Sequence, residues 1–265
     1  MMSLTRSTPV RRHGVWVIVV LVVASLGAAG GNQKLIDAVK QHDPEAIGEL
    51  LAQQVDVNAA EADGSTALHW ATYADDLDTA RRLIRAGAHA HAANDHGVTP
   101  LSLACTNRSA ALVTTLLEAG ADANAAVWSG ETVLMTCART GSVEAVAALL
   151  AGGADVNRTE PSENQTALMW AVSERHAAVA RALVEHGADV TARSKRGFTP
   201  MLFAAREGDL DSARLLLGAG ASADDAAPDG TSALVVATVR GHTAFATWLL
   251  EQGADPNADG AGYIR

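Results

Sequence analysis

Residues 66–71 read TALHWA, and residues 166–171 read TALMWA. The hundred residues from one copy to the next divide into three near-equal steps. Thr66, Thr99, Thr132, Thr166, Thr199 and Ser232 follow one another at intervals of 33, 33, 34, 33 and 33 residues. Six Gly-Ala pairs, from Gly87-Ala88 to Gly253-Ala254, keep the same spacing. A period held over six units is a repeat architecture, in which each unit buries its apolar face only by stacking on its neighbours.

Each unit has a physical reading. A glycine two residues before the Thr (Gly64, Gly97, Gly130, Gly197, Gly230) supplies the positive φ of a tight turn, and Asn164 stands there in the fourth unit. The Thr or Ser hydroxyl caps a helix, and Pro100 and Pro200 occupy the first helical position, where a missing N–H costs nothing. A short helix such as LHWATYA and a longer one such as LDTARRLIRA follow, with apolar residues at three-and-four spacing. The Gly of Gly-Ala ends the second helix in a left-handed cap. Asp and Asn beyond it (Asp122, Asn124; Asp155, Asn157) favour the turn into the next unit.

The frame in GVTPLSLAC, GETVLMTCA, GFTPMLFAA and DGTSALVVA, with GADANA, GADVNR, GADVTA and GADPNA, resembles the ankyrin repeat over residues 32 to 259. The departures are local: Pro is absent behind four of the six caps, His69 alone keeps the family's His, and RTEPSENQT carries one extra residue. The resemblance implies an all-α solenoid of stacked helix-turn-helix units with β-turn tips. We expect about six full repeats over 63–259, an N-terminal capping repeat over 32–62, and a truncated or degenerate further repeat over 260–265. Trp70 and Trp170 fall in equivalent slots and read as inter-repeat packing.

Composition agrees with closely packed helices: 48% of residues are apolar but only 4% aromatic, so Ala, Val and Leu build the core. Before residue 30 come Arg6, Arg11 and Arg12, then the apolar run Val15–Leu26, then small residues, as in a secretory signal peptide cleaved near Ala29. A retained anchor helix over the same 1–29 stretch is the alternative, and only it would put the chain on a membrane. Either way we expect the remainder outside the cytoplasm, periplasmic or secreted. That remainder carries 17 basic and 30 acidic residues, a net charge of −13, which disfavours nucleic acid and favours partners with a basic surface. Cys105 and Cys137 read as free thiols filling buried small-residue slots, with one disulfide as the alternative.

No phosphate loop, Ser-His-Asp order or metal-helix motif occurs, so no catalytic residue, cofactor or metal is assigned. His89, His91 and His96 in GAHAHAANDHG sit where other units have turn residues and read as exposed histidines. By resemblance, partners dock on the concave side, built from turn tips and first helices. Tyr73, Trp128, Glu131, Arg139, Phe198 and Arg206 fall in those slots, and so do His96, Val98, Lys195, Arg196 and Arg240. Trp, Tyr and Arg are the types enriched in interface hot spots, and Trp128 and Phe198 are the expected anchors. The function expected is a non-catalytic scaffold binding another protein, as inhibitor or protector of an enzyme. The alternatives are the interaction part of a truncated larger enzyme, or a membrane-anchored scaffold.

Overall fold

The computed structural model describes residues 33–257. The segment read as a signal peptide and the final residues read as a further repeat lie outside them. Seven helix pairs follow in order. They are α1 (33–40) with α2 (Pro44–Ala52), α3 (Ala67–Tyr73) with α4 (Leu77–Arg85), and α5 (Pro100–Thr106) with α6 (Ala110–Glu118). Then come α7 (Val133–Thr140) with α8 (Val143–Ala151), α9 (Ala167–Ser173) with α10 (Ala177–Glu185), α11 (Pro200–Glu207) with α12 (Leu210–Gly218), and α13 (Ala233–Val239) with α14 (Thr243–Glu251). First helices pack on first helices and second on second, so the molecule is a solenoid. We number the pairs from α3–α4 to α13–α14 as units 1 to 6.

The caps form as the sequence dictates. Thr99, Thr132, Thr166, Thr199 and Ser232 each accept from the backbone N–H three residues on, at 3.2–3.4 Å. In unit 1 the Thr66 hydroxyl pairs instead with His69 Nδ1 at 2.9 Å. Asn164 takes the turn glycine's place at φ +56°, the left-handed conformation that Asn tolerates, and its amide donates to the Arg193 carbonyl. At the second-helix ends, the Gly of Gly-Ala has φ between +87° and +101°, and the following Ala N–H returns to the helix, as Ala88 does to Leu83.

The core is itself periodic. Leu83, Leu116, Leu149, Leu183, Leu216 and Leu249 are each 0% exposed at one position of the second helix. Ala71, Ala104, Cys137, Ala171, Ala204 and Ala237 are as buried on the first, where small side chains let neighbouring helices approach closely. The cysteines are not two free thiols. Cys105 Sγ is bonded to Cys137 Sγ, joining α5 to α7. Both cysteines do fill buried small-residue slots, but not equivalent ones. Cys105 lies one position after its alanine neighbour and Cys137 one before, so across the stack the two face each other with Cα atoms 4.7 Å apart.

The turn Asn residues do more than favour a turn. Asn58 donates to the Gly87 carbonyl at 3.0 Å and accepts from His89 N–H at 2.8 Å. Asn124 repeats this with Gly153 and Asp155, and Asn157 with Gly187 and Asp189. Each Asn thus clamps its own loop to the loop of the next unit. His91 and Thr191 hold the same slot in units 2 and 5 and form no such clamp. Both joints are tied otherwise: unit 2 to unit 3 by the disulfide, unit 5 to unit 6 by Arg193 and Thr199. Arg193 donates to the Ala226 carbonyl at 2.9 Å and stands 3.8 Å from Asp225, which also accepts from the Thr199 hydroxyl at 2.8 Å. Replacing Asn124 by alanine removes both clamp bonds and should lower stability by about 1–2 kcal/mol, read as a lower urea midpoint at unchanged m-value.

Unit 1 carries a titratable lock. His69 is 3% exposed; its Nδ1 accepts from Thr66 N–H at 3.1 Å and its Nε2 lies 3.1 Å from the Val98 carbonyl of unit 2. That pattern needs the neutral ring with its proton on Nε2. Burial holds the imidazole below its ordinary pKa of 6.5, against the opposing pull of the Val98 carbonyl and the Asp63 charge. The unfolded chain therefore takes up the proton first. Stability should fall as pH drops from 6.5 towards the folded pKa and level off below it. Urea midpoints at pH 7.5, 6.5 and 5.5 should converge between wild type and His69→Gln as pH falls; parallel curves would remove the assignment.

Candidate functional site

The tips of adjacent units stack by backbone bonds: Asp95 N–H donates to Asp63 O at 2.8 Å, Trp128 N–H to His96 O at 3.4 Å, and Lys195 N–H to Glu163 O at 2.8 Å. Short bridges such as Ala126 to Thr132 close the tip hairpins. This ladder and the first helices make one continuous face.

On that face the six candidate residues form three patches rather than one. Tyr73, 64% exposed on α3, meets Trp70 edge-on at 5.9 Å. Beside it Glu61 accepts from the Trp70 indole N–H at 2.7 Å and from Lys40 at 2.6 Å, while Lys40 lies 4.0 Å over the indole ring. These contacts tie α1 to unit 1.

Trp128 is 77% exposed, the most open of the large apolar side chains among the described residues. Its ring lies 5.7 Å from His96 on the neighbouring tip, over Gly97. Gly97 has φ +73°, and a Cβ there would stand 3.0 Å from the indole, so the glycine serves both the turn and the close approach. Glu131 and Arg139 come together at 3.7 Å, and Thr136 also donates to Glu131 at 2.8 Å. Arg139 lies 5.7 Å from the Trp170 ring. Trp170 is partly buried against the core, and its indole N–H is enclosed without a hydrogen-bond partner, unlike that of Trp70.

The third patch lies between units 4 and 6. Phe198 does not stand free: half-buried, it folds back edge-on to Phe203 at 5.9 Å. The Arg206 guanidinium sits 4.7 Å over the same ring. With Arg196, Arg240, Glu163, Gln165 and Ser194 these side chains line an open recess of about 450 Å³. Sequence reasoning passed over Phe203, which at 3% exposure reads as core. The signal was there: it occupies the slot of Trp70 and Trp170, where the largest rings of the first helices gather.

His89 and His91 stack at 5.5 Å as turn residues. Among the described residues no group of three His, Cys, Asp or Glu side chains is placed to hold a metal, and no helix is long and apolar enough to cross a membrane.

A stack of helix pairs with hydrogen-bonded tips and an aromatic and arginine-lined face defines a solenoid interaction scaffold. A family model described as "Ankyrin repeats (3 copies)" matches residues 35–127, 125–194 and 192–259, and the chain belongs to that family. It is similar to the human ASB11 ankyrin repeat domain, at 30% identity and a TM-score of 0.72, over 84% of this chain and 98% of that one. No curated protein matches it. Ankyrin repeats are protein–protein interaction modules and in general non-catalytic, and the chain carries such a module over most of its length.

Proposed function

We propose that the chain is a non-catalytic scaffold, exported by its N-terminal segment, that holds a partner protein on the concave face. The observation that carries this reading is Trp128: an indole 77% exposed on a tip whose backbone is fixed by its neighbours. Such a side chain is costly in water and gains most when covered. The solenoid is tied between units, so it loses little conformational entropy on binding. The −13 charge of residues 30–265 draws basic partner surfaces towards it. From the family resemblance we assign the pairing the role of inhibiting or protecting a partner enzyme outside the cytoplasm.

The test is capture from the producing cell's envelope and secreted fractions, with residues 30–265 as bait beside Trp128→Ala and Phe198→Ala. Trp128→Ala should weaken capture of a single partner by about 30-fold, the effect of losing roughly 2 kcal/mol at a hot spot. Equal retention by all three folded baits rejects these anchors. Edman degradation of the native protein checks export: a start near Gly30 supports it, and a start at Met1 rejects cleavage.

A further inference from the structure

Resting on the concave-face reading, we propose that the recess at units 4 to 6 takes an acidic segment of the partner. A carboxylate of that segment lies against Arg206 and Arg240, and an adjacent aromatic or aliphatic side chain lies against Phe198.

The recess inverts the polarity of the molecule around it. The chain is strongly acidic, yet three arginines and one carboxylate line this hollow. The carboxylate is already engaged, Glu163 lying 3.6 Å from Arg196. Arg206 gives its Nε to Glu207 at 2.7 Å, which leaves Nη2 with only the Ser173 hydroxyl at 3.4 Å. Arg240 is exposed and its guanidinium makes no hydrogen bond or ion pair among the described residues. Below them is a floor of Phe203 and Phe198, and exposed Val239 neighbours Arg240. An arginine fork matches a carboxylate in two parallel hydrogen bonds, and an apolar floor strengthens that pairing by keeping water from one side.

The acidic whole and the basic recess act at different ranges. The net charge sets the average attraction for basic surfaces, but charges more than a Debye length of about 8 Å from the recess are screened there, so contact chemistry follows the local arginines. A basic segment entering the recess would set like charges side by side. A long nucleic-acid strand would run its phosphates beyond the recess over a molecule that is acidic as a whole, whereas a short peptide segment need place only one carboxylate in it.

The experiment selects a random dodecapeptide display library on the full chain, then on Arg240→Glu and Arg206→Gln. Arg240→Glu leaves packing intact because its side chain is exposed and unpaired, and circular dichroism checks both. We expect the clones lost on either variant to carry Asp or Glu beside an aromatic or aliphatic residue. A synthetic copy of the leading clone should bind at least tenfold more weakly to Arg240→Glu. Fluorescein-labelled dT12 serves as the nucleic-acid probe and should not bind. Arginine-dependent clones that are basic or uncharged overturn the proposal, as does arginine-dependent binding of dT12. If no clone depends on either arginine while Trp128→Ala still abolishes partner capture, the recess assignment falls and the concave-face reading stands. If Trp128→Ala changes nothing either, the recess assignment and the Trp128 anchor fall together.

Discussion

Replacing Cys105 and Cys137 together by alanine is expected to cost the folded chain about 3.5 kcal/mol. The bond closes a loop over a sequence separation of 32, and the entropy such a loop removes from the unfolded chain sets that magnitude. Alanine occupies the position of Cys137 in the other five units and that of Cys105 in units 3 and 5, so the double substitution leaves no large void and isolates the effect of the cross-link. The melting temperature should fall by roughly 10 °C, at 2–4 °C per kcal/mol for a domain of this size. Reductant should move the wild type by the same amount and leave the variant unmoved. Wild type and variant melting together, with two titratable thiols in the unreduced wild type, would show that the bond does not form.

Leu149→Ala carries the second large effect. Leu149 is fully buried on α8, which packs on α6, α7 and α10 at the middle of the stack. Truncating a buried leucine costs about 2–5 kcal/mol, the spread depending on how far the site collapses. In a solenoid each unit leans only on its neighbours, so position decides how the loss appears. At Leu149 it weakens both flanking interfaces, and thermal unfolding should broaden or split into two transitions. The equivalent Leu249→Ala, in α14 at the end of the described stack, removes the same atoms but should only fray that end. Single sharp transitions of equal depression in both would contradict the nearest-neighbour account.

The fold was legible because one period served several constraints at once. The Thr caps, turn glycines and buried leucines recur together, so each unit confirms the register of the last. The disulfide was not legible by the same logic. Cys105 and Cys137 occupy different positions within their units, and a residue-by-residue comparison of repeats hides a contact that runs between positions. The candidate surface was readable in part. Trp128 and Arg139 were placed by register and are exposed. Phe198 was also placed by register, but its burial depends on Phe203 in the following helix, which composition could not reveal. The clustering of Phe198, Phe203, Arg206 and Arg240 joins side chains from separate helices and tips, and so needs three dimensions.

The uneven joints give the solenoid an elastic profile. Stretched along its axis, such a stack extends like springs in series, and displacement gathers at the most compliant joint. The joint between units 2 and 3 cannot part while its sulfurs are bonded. That between units 5 and 6 has neither sulfur bond nor Asn clamp; Arg193 and Thr199 reach towards Asp225 and its neighbour, and His242 Nε2 lies 3.0 Å from the Arg206 carbonyl. The same joint forms one wall of the arginine-lined recess. A partner gripping both sides of it would act as a splint, stiffening the whole rod from one end.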